Sequence, residues 1–224
     1  MSNIWNDLIQ QMKNKIQHYH PQRLSIPSLT PAAVMILICK KKETLFLLMT
    51  QRSKTLKHHN GEMSFPGGKF DSSQDEDLLQ TAIRETSEEI GLDPANIEIW
   101  GTLDDLPTLT GYIIRPFIGY IKNQLTSRDF FVNSEEVDEI VQIPFQFFLD
   151  LPKFDEILFK SNSKEFHLLS IIYHDKKTKK EYKIWGASAH ILVNFFNIAL
   201  NQQKCSEIYH RPSLSEIYDA FNKI

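Results

Sequence analysis

Residues Phe65 to Leu92 read FPGGKFDSSQDEDLLQTAIRETSEEIGL, a glycine turn followed by one well-marked helix that stops at Gly91. At about 100° per residue, Glu85, Glu88 and Glu89 fall within an arc of roughly 100°, so three carboxylates share one helix face. The neighbouring arc carries Leu79, Ala82, Ile83, Thr86 and Ile90, the stripe such a helix is expected to bury. Like charges one turn apart destabilise a helix by about 0.2–0.5 kcal/mol per pair. A hard divalent cation relieves that repulsion, because Mg²⁺ takes a few carboxylate oxygens and completes its shell with water and phosphate oxygens. A solvated acidic face is the plainer alternative. The surroundings favour the cation: Arg84 and Glu85 precede the Glu88-Glu89 pair, Gly91 stops the helix, and the double glycine Gly67-Gly68 lies upstream.

Read in order, Gly68, Arg84, Glu85, Glu88, Glu89, Gly91 and Leu92 resemble the Nudix box, G-x5-E-x7-R-E-apolar-x-E-E-x-G-apolar. The second half matches, with Thr86 in the apolar slot. The first half is longer than the consensus: counting forward from Gly68 ends on Gln74, and counting back from Arg84 ends on Glu76. Leu48, Thr50, Arg52, Ser53, Gly61, Phe65 to Lys69 and Asp71, then Asp75 six residues before Thr81, are similar to the coenzyme A pyrophosphatase branch of that family. Lys57 stands where that branch usually has arginine, and one residue is inserted between Asp71 and Asp75.

The resemblance implies a Nudix fold, an α/β (α+β) domain with a mixed β-sheet sandwiched between helices, here with an added N-terminal helix and a C-terminal helical segment. It implies metal-dependent hydrolysis of the diphosphate of coenzyme A or an acyl-CoA to 4'-phosphopantetheine and adenosine 3',5'-bisphosphate, with Mg²⁺ or Mn²⁺ as cofactor. Glu85, Glu88 and Glu89 would be catalytic metal ligands, the Gly68 carbonyl a further ligand, and Arg84 an ion-pair partner that orients them. Gly67 and Gly68, lacking a Cβ, allow close backbone approach. Arg52, with its bidentate fork, is the first choice for phosphate contact and Lys57 the second. Another nucleoside diphosphate compound, such as NADH, ADP-ribose or a sugar nucleotide, is the alternative substrate. A ligand-sensing domain without turnover is a third reading, disfavoured because all three box glutamates are present.

Working outward, the 224 residues are 42% hydrophobic with 15 Phe, enough for a sizeable core, and the net charge of −3 gives no footprint for nucleic-acid binding. Two cysteines, Cys39 and Cys205, suggest neither a disulfide framework nor a zinc site, so a cytoplasmic location is expected. No apolar run approaches the roughly 18 residues of a membrane span, and no leader pattern opens the chain. Residues 1–30 read as an amphipathic helix and linker, with Ile4, Trp5, Leu8, Ile9, Met12 and Ile16 at helical spacing; residues 31–224 read as the Nudix domain with a C-terminal extension. The helix face could pack on the domain or serve a homodimer or membrane-surface contact; its polar side is not notably basic, which favours packing.

Ala32 to Cys39 and Thr44 to Arg52 predict a buried hairpin, and Ser53 to Met63, with Lys57, His58 and His59, an exposed loop. Ile97 to Asp104 and Tyr112 to Ile121 predict further strands, with Thr108 to Gly111 between them resembling a turn of the coenzyme A branch. Glu135, Glu136, Asp138 and Glu139 form an acidic run; Nudix proteins often add a carboxylate here, and Glu136 and Glu139 are its candidates. Pro144 to Leu151 predicts a short helix with Pro in its first turn, and Ile157 to Lys160 and Phe166 to Tyr173 predict strands. Lys176 to Lys180 form a basic tip that is either a solvated hairpin end or an attractor for a polyanionic substrate. Ala187 to Leu200 and Ser213 to Phe221 predict helices.

Overall fold

In the computed structural model, which describes residues 2–56, 60–123, 130–161 and 164–205, the apolar runs of the first half become one mixed sheet. Lys57, His58, His59 and the helix expected over Ser213 to Phe221 lie outside the described residues. Strands β1 (Thr30–Lys41) and β2 (Thr44–Arg52) form the expected hairpin, with Leu37 opposite Leu48. Alternate β1 residues serve opposite faces: Ile36 and Ile38 enter one core, whereas Ala33, Met35 and Leu37 enter the other. The run is apolar at every step because both faces are covered by helices.

Short strands β3 (Met63–Ser64) and β4 (Gly67–Lys69) pair with β2 and β1, flanking the turn at Phe65 and Pro66. Helix α2 (Leu78–Ile90) follows, with Asp77 capping its start by accepting from the Gln80 N–H at 2.9 Å and Gly91 ending it at φ 68°. Ala82, Thr86 and Ile90 of the expected stripe are buried, and Leu79 and Ile83 pack at its margin. Thr86 fits an apolar slot because its hydroxyl donates back to the Ala82 carbonyl at 2.6 Å. Beyond α2 come β5 (Ile97–Thr102), β6 (Leu106–Pro107) and β7 (Tyr112–Ile121); β7 runs parallel to β1 and carries β5 and β6 antiparallel.

Strand β8 (Val137–Pro144) pairs with the other edge of β2, and Pro144 leads into α3 (Phe145–Asp150). A second sheet follows, β9 (Asp155–Ser161), β10 (Lys164–His174) and β11 (Glu181–Trp185), in the order β11-β10-β9. Helix α4 (Gly186–Leu200) then packs beside α1 (Ser2–Gln17) on the face of the main sheet opposite α2. Ile9, Met12 and Ile16 of α1 are buried in that core, and Lys13 Nζ holds Glu98 at 2.6 Å, so the apolar face of α1 is used within the chain. The following segment is pinned by buried Asp105, which takes the Leu24 N–H at 3.0 Å and the Arg115 Nε–H at 2.8 Å. Among the described residues, no helix is long and apolar enough to cross a membrane.

Candidate active site

The double glycine places backbone where a side chain would not fit. In register, Gly67 lies opposite Val34 and Gly68 opposite Ala33. A Cβ on Gly67 would strike the Ala33 carbonyl and the Val34 backbone, and its φ of 153° is one that other residues rarely adopt. A Cβ on Gly68 would land on the Glu85 carboxyl group. The turn and the α2 carboxylates therefore share one confined space.

Glu85, Glu89 and Glu136 each bring a carboxylate oxygen to within 4.8 Å of the others. Glu89 is only 2% exposed, and its Oε2 has no hydrogen-bond partner among the described residues although the Gly67 N–H donates to the carboxylate. Burial pushes its pKa up to about 8; Arg52 resists that shift, and Glu85 and Glu136 reinforce it. Burial also raises Glu85, with Arg84 opposing. A buried carboxylate oxygen without a donor costs free energy unless a proton or cation meets it. The all-oxygen donor set, the orphaned Oε2 and the glycine cradle fit a hard divalent cation such as Mg²⁺ or Mn²⁺.

Glu136 reaches this trio from a turn. Strand β8 starts one residue later, at Val137, so strand alternation does not govern the orientation of Glu136. Its carbonyl accepts the Ser53 N–H at 2.8 Å, and the Asn133 N–H donates to the Glu89 carbonyl at 3.0 Å, tying the turn to the ends of β2 and α2. Glu139, the other candidate in the acidic run, lies elsewhere: it accepts from Lys180 Nζ at 2.7 Å and from the Tyr182 hydroxyl at 3.1 Å. These contacts join Glu139 to the β10–β11 hairpin, so the structure brings Glu136 but not Glu139 to the Glu85–Glu89 pair, and Lys180 of the basic tip is engaged with Glu139.

Arg84 sits at the centre of a second cluster. Its Nε and Nη2 donate to the two oxygens of Asp75 at 2.8 and 3.0 Å, while Nη1 donates to Glu85 at 2.8 Å and to Glu88 at 2.9 Å. Asp75, whose side chain is 1% exposed, also accepts from the Thr81 hydroxyl at 2.8 Å and the Asp71 N–H at 3.0 Å. The Arg84 guanidinium holds the Asp75 carboxyl well below the usual carboxylate range. Arg84 thus has the ion-pair geometry expected of an orienting residue, and its main partner, Asp75, is the one sequence reasoning left without a role. Glu88, 51% exposed, stands outside the trio and is held by Arg84.

A cleft of about 380 Å³ opens from the glycine turn. Arg52, Gly67, Gly68 and Lys69 line one end, and Thr108 to Thr110, Tyr112 and Trp185 line its course. Arg52 is close enough to act electrostatically on Glu89, and Lys69 Nζ lies over the Tyr112 ring at 5.5 Å from its centroid. Hence two cations and the glycine backbone, against which the Glu85 carboxyl group packs, meet at one end of a largely apolar trough.

The sequence profile of the NUDIX domain matches residues 29–165, more than half of the chain. The chain belongs to the Nudix family. Two Nudix relatives agree: the uncharacterized Nudix hydrolase NudL of Photorhabdus laumondii is 30% identical over 172 residues, covering 77% of this chain and 86% of that protein. The uncharacterized Nudix hydrolase NudL of Yersinia enterocolitica is 33% identical over 140 residues, 62% of this chain and 69% of that protein. Among solved structures, the MutT/nudix family protein from Enterococcus faecalis superposes with a TM-score of 0.49 at 16% identity, over 95% of this chain and 74% of that one. The chain is a Nudix hydrolase, and the matched residues include Glu85, Glu88, Glu89 and Glu136.

Proposed function

We propose that this Nudix hydrolase cleaves the diphosphate bond of coenzyme A or an acyl-CoA in a divalent-metal-dependent reaction, releasing 4'-phosphopantetheine and adenosine 3',5'-bisphosphate. The observation that carries the reading is the buried, partnerless Glu89 Oε2 standing with Glu85 and Glu136 against the glycine turn. Glu85, Glu89 and Glu136 would hold the ion, with Glu88 and the Gly68 carbonyl as further oxygen donors. A bound Mg²⁺ or Mn²⁺ would supply positive charge to the diphosphate and acidify water at neutral pH. Arg84 keeps the Glu85 carboxylate in place. Arg52 offers its fork to the diphosphate oxygens, with Lys69 as a second cation on the same wall.

The coenzyme A branch is supported by convergence: Gly67-Gly68 and Thr108 to Thr110, two separate pieces of the resemblance, line one cleft. Cys39 and Cys205 are both free thiols, which suits action in the cytoplasm. A panel of coenzyme A, acetyl-CoA, dephospho-CoA, NADH, ADP-ribose and dinucleoside polyphosphates, run with Mg²⁺, with Mn²⁺ and with EDTA, tests the proposal. Coenzyme A compounds should turn over fastest and EDTA should abolish the reaction. Turnover of NADH or ADP-ribose well above coenzyme A would overturn the substrate, and full activity in EDTA would overturn the metal.

A further inference from the structure

The second sheet turns one face toward the cleft, and that face is unusual for its chemistry. The β9/β10 register sets Ile157 opposite Leu168, and the β10/β11 register sets Ser170 opposite Trp185 and Ile172 opposite Lys183. Strand alternation then puts Phe159, Leu168, Lys183 and Trp185 on a common face. Phe159, Leu168 and Trp185 all line the cleft, and all three are only partly buried. The Phe159 and Trp185 rings meet at 5.8 Å between centroids and 45° between planes, and Lys183 Nζ lies 5.9 Å from the Trp185 centroid.

The position of this face is fixed relative to the carboxylates. Trp185 is the last residue of β11, where the chain turns into α4, and the Ser188 hydroxyl donates to the Met63 carbonyl of β3 at 3.1 Å. That bond ties the junction to the strand that precedes the glycine turn. The trough therefore runs from Arg52, Gly67 and Gly68, where the Glu85 carboxyl group packs against the glycine, to an aromatic wall with a lysine beside it.

We infer that Trp185, backed by Phe159, is the platform on which the nucleobase of a diphosphate substrate stacks, and that Lys183 meets a phosphate on the ribose of that nucleoside. The inference rests on the diphosphate-cleaving reading above. A partly exposed indole accepts the face of any base, whereas an ammonium group beside it distinguishes a phosphorylated ribose from an unphosphorylated one. An aliphatic acyl chain would gain from the apolar wall but has no use for Lys183. The lysine beside the indole is thus the feature that selects the nucleotide end over the thiol end. Trp185 and Lys183 are specificity-determining groups, remote from the bond that breaks.

The test uses the full chain with adenosine 3',5'-bisphosphate, AMP and 4'-phosphopantetheine as probes, read by intrinsic fluorescence and calorimetry, alongside kcat and KM for coenzyme A. Adenosine 3',5'-bisphosphate should quench the fluorescence. Trp185→Phe should bind it with most of the affinity retained but without the main part of the quench. Trp185→Ala should bind it about tenfold more weakly or worse, with KM for coenzyme A rising in step and kcat changing little. Lys183→Ala should weaken adenosine 3',5'-bisphosphate several-fold and leave AMP unchanged. Nucleotide binding and KM unaltered in both Trp185→Ala and Lys183→Ala would overturn the platform, as would loss of 4'-phosphopantetheine binding alone. Failure of the diphosphate reading shows separately, as wild-type protein that binds the nucleotide with the expected quench yet cleaves no compound of the panel.

Discussion

Two groups of carboxylates meet at helix α2, share Glu85 and are treated in opposite ways. Asp75, in the loop before the helix, and Glu88, in its last turn, are satisfied: they accept from Arg84, Thr81 or a backbone N–H, and Asp75 ionises more readily than usual. Glu89, next to Glu88 in the same turn, is as deeply buried as Asp75 yet has an oxygen with no partner among the described residues, and burial pushes its pKa up to about 8. A protein selected for stability alone would pair or replace such a group. The contrast separates scaffold from function within three helical turns: the Arg84 cluster fixes side chains in place, and the Glu89 cluster is left short of positive charge for something else to supply.

The largest expected consequence falls on Glu89. Glu89→Gln should lower kcat/KM by about 10²–10³-fold, roughly 3–4 kcal/mol of transition-state stabilisation, while leaving the fold intact. Its signature in stability is the pH dependence. With a folded pKa of about 8 against an ordinary 4.5, the native state holds a proton that the unfolded chain has released between those values. Stability from this group is therefore complete below pH 4.5 and is lost as pH rises through 8. Thermal scans in EDTA should show a decline in Tm from pH 5 to pH 8 that is flatter in Glu89→Gln. Mg²⁺ should raise the wild-type Tm more at pH 8 than at pH 6, since it replaces the proton. Equal slopes for the two proteins would mean that Glu89 is paired in solution.

Gly68→Ala attacks the same end without changing charge. The new Cβ must displace the Glu85 carboxyl group, and a shift of that size at a reacting site costs up to about 10²-fold in rate. Far-ultraviolet circular dichroism and kcat measured together would separate displacement from unfolding; unchanged kcat in a folded variant would remove Glu85 from the site. Asp75→Asn attacks the satisfied cluster instead. It leaves the Arg84 guanidinium with a weakened bidentate partner, so a stability loss of about 2–3 kcal/mol is expected, seen as a lower urea midpoint. The loss should vanish at acid pH, because the contribution of Asp75 is present above about pH 4 and disappears as pH falls through its depressed folded pKa. Activity should fall less than in Glu89→Gln, since Arg84 still holds Glu85.

Much of this contrast was legible in the chain, and its limits have physical causes. The continuous apolar run from Ala32, the 3.6-residue pattern of α2 and the stop at Gly91 are local signals, and each produced the element expected. Glu85 and Glu89 could be placed on one face from spacing alone. Their partners could not, because Glu136 arrives from another strand's entry turn and its contact is long-range. Asp75 was hidden by the lengthened loop before α2: the pairing is set by where Asp77 caps the helix, which leaves Asp75 under Thr81 and Arg84 rather than Glu76. The neighbouring Asp77 cap and Thr81 were the signals available. The aromatic wall at Trp185 joins the cleft only through the packing of the second sheet, which no short-range pattern encodes.

The smallest effect is expected where the acidic run divides. Glu136 and Glu139 are three residues apart, so strand alternation alone would put them on opposite faces and offers no means of choosing between them. The strand begins between them, so one is aimed by a turn toward Glu89 and the other by β8 toward Lys180 and Tyr182. The Glu139–Lys180 pair is partly solvated, and such pairs contribute about 0.2–1 kcal/mol. Glu139→Gln should therefore lower the urea midpoint slightly and leave kcat unchanged, whereas Glu136→Gln should lower kcat with little change in stability. Loss of activity in Glu139→Gln equal to that in Glu136→Gln would erase the distinction. Such an outcome would mean that the β10–β11 hairpin, which carries both Lys180 and Trp185, must be docked through Glu139 for the cleft to work at all.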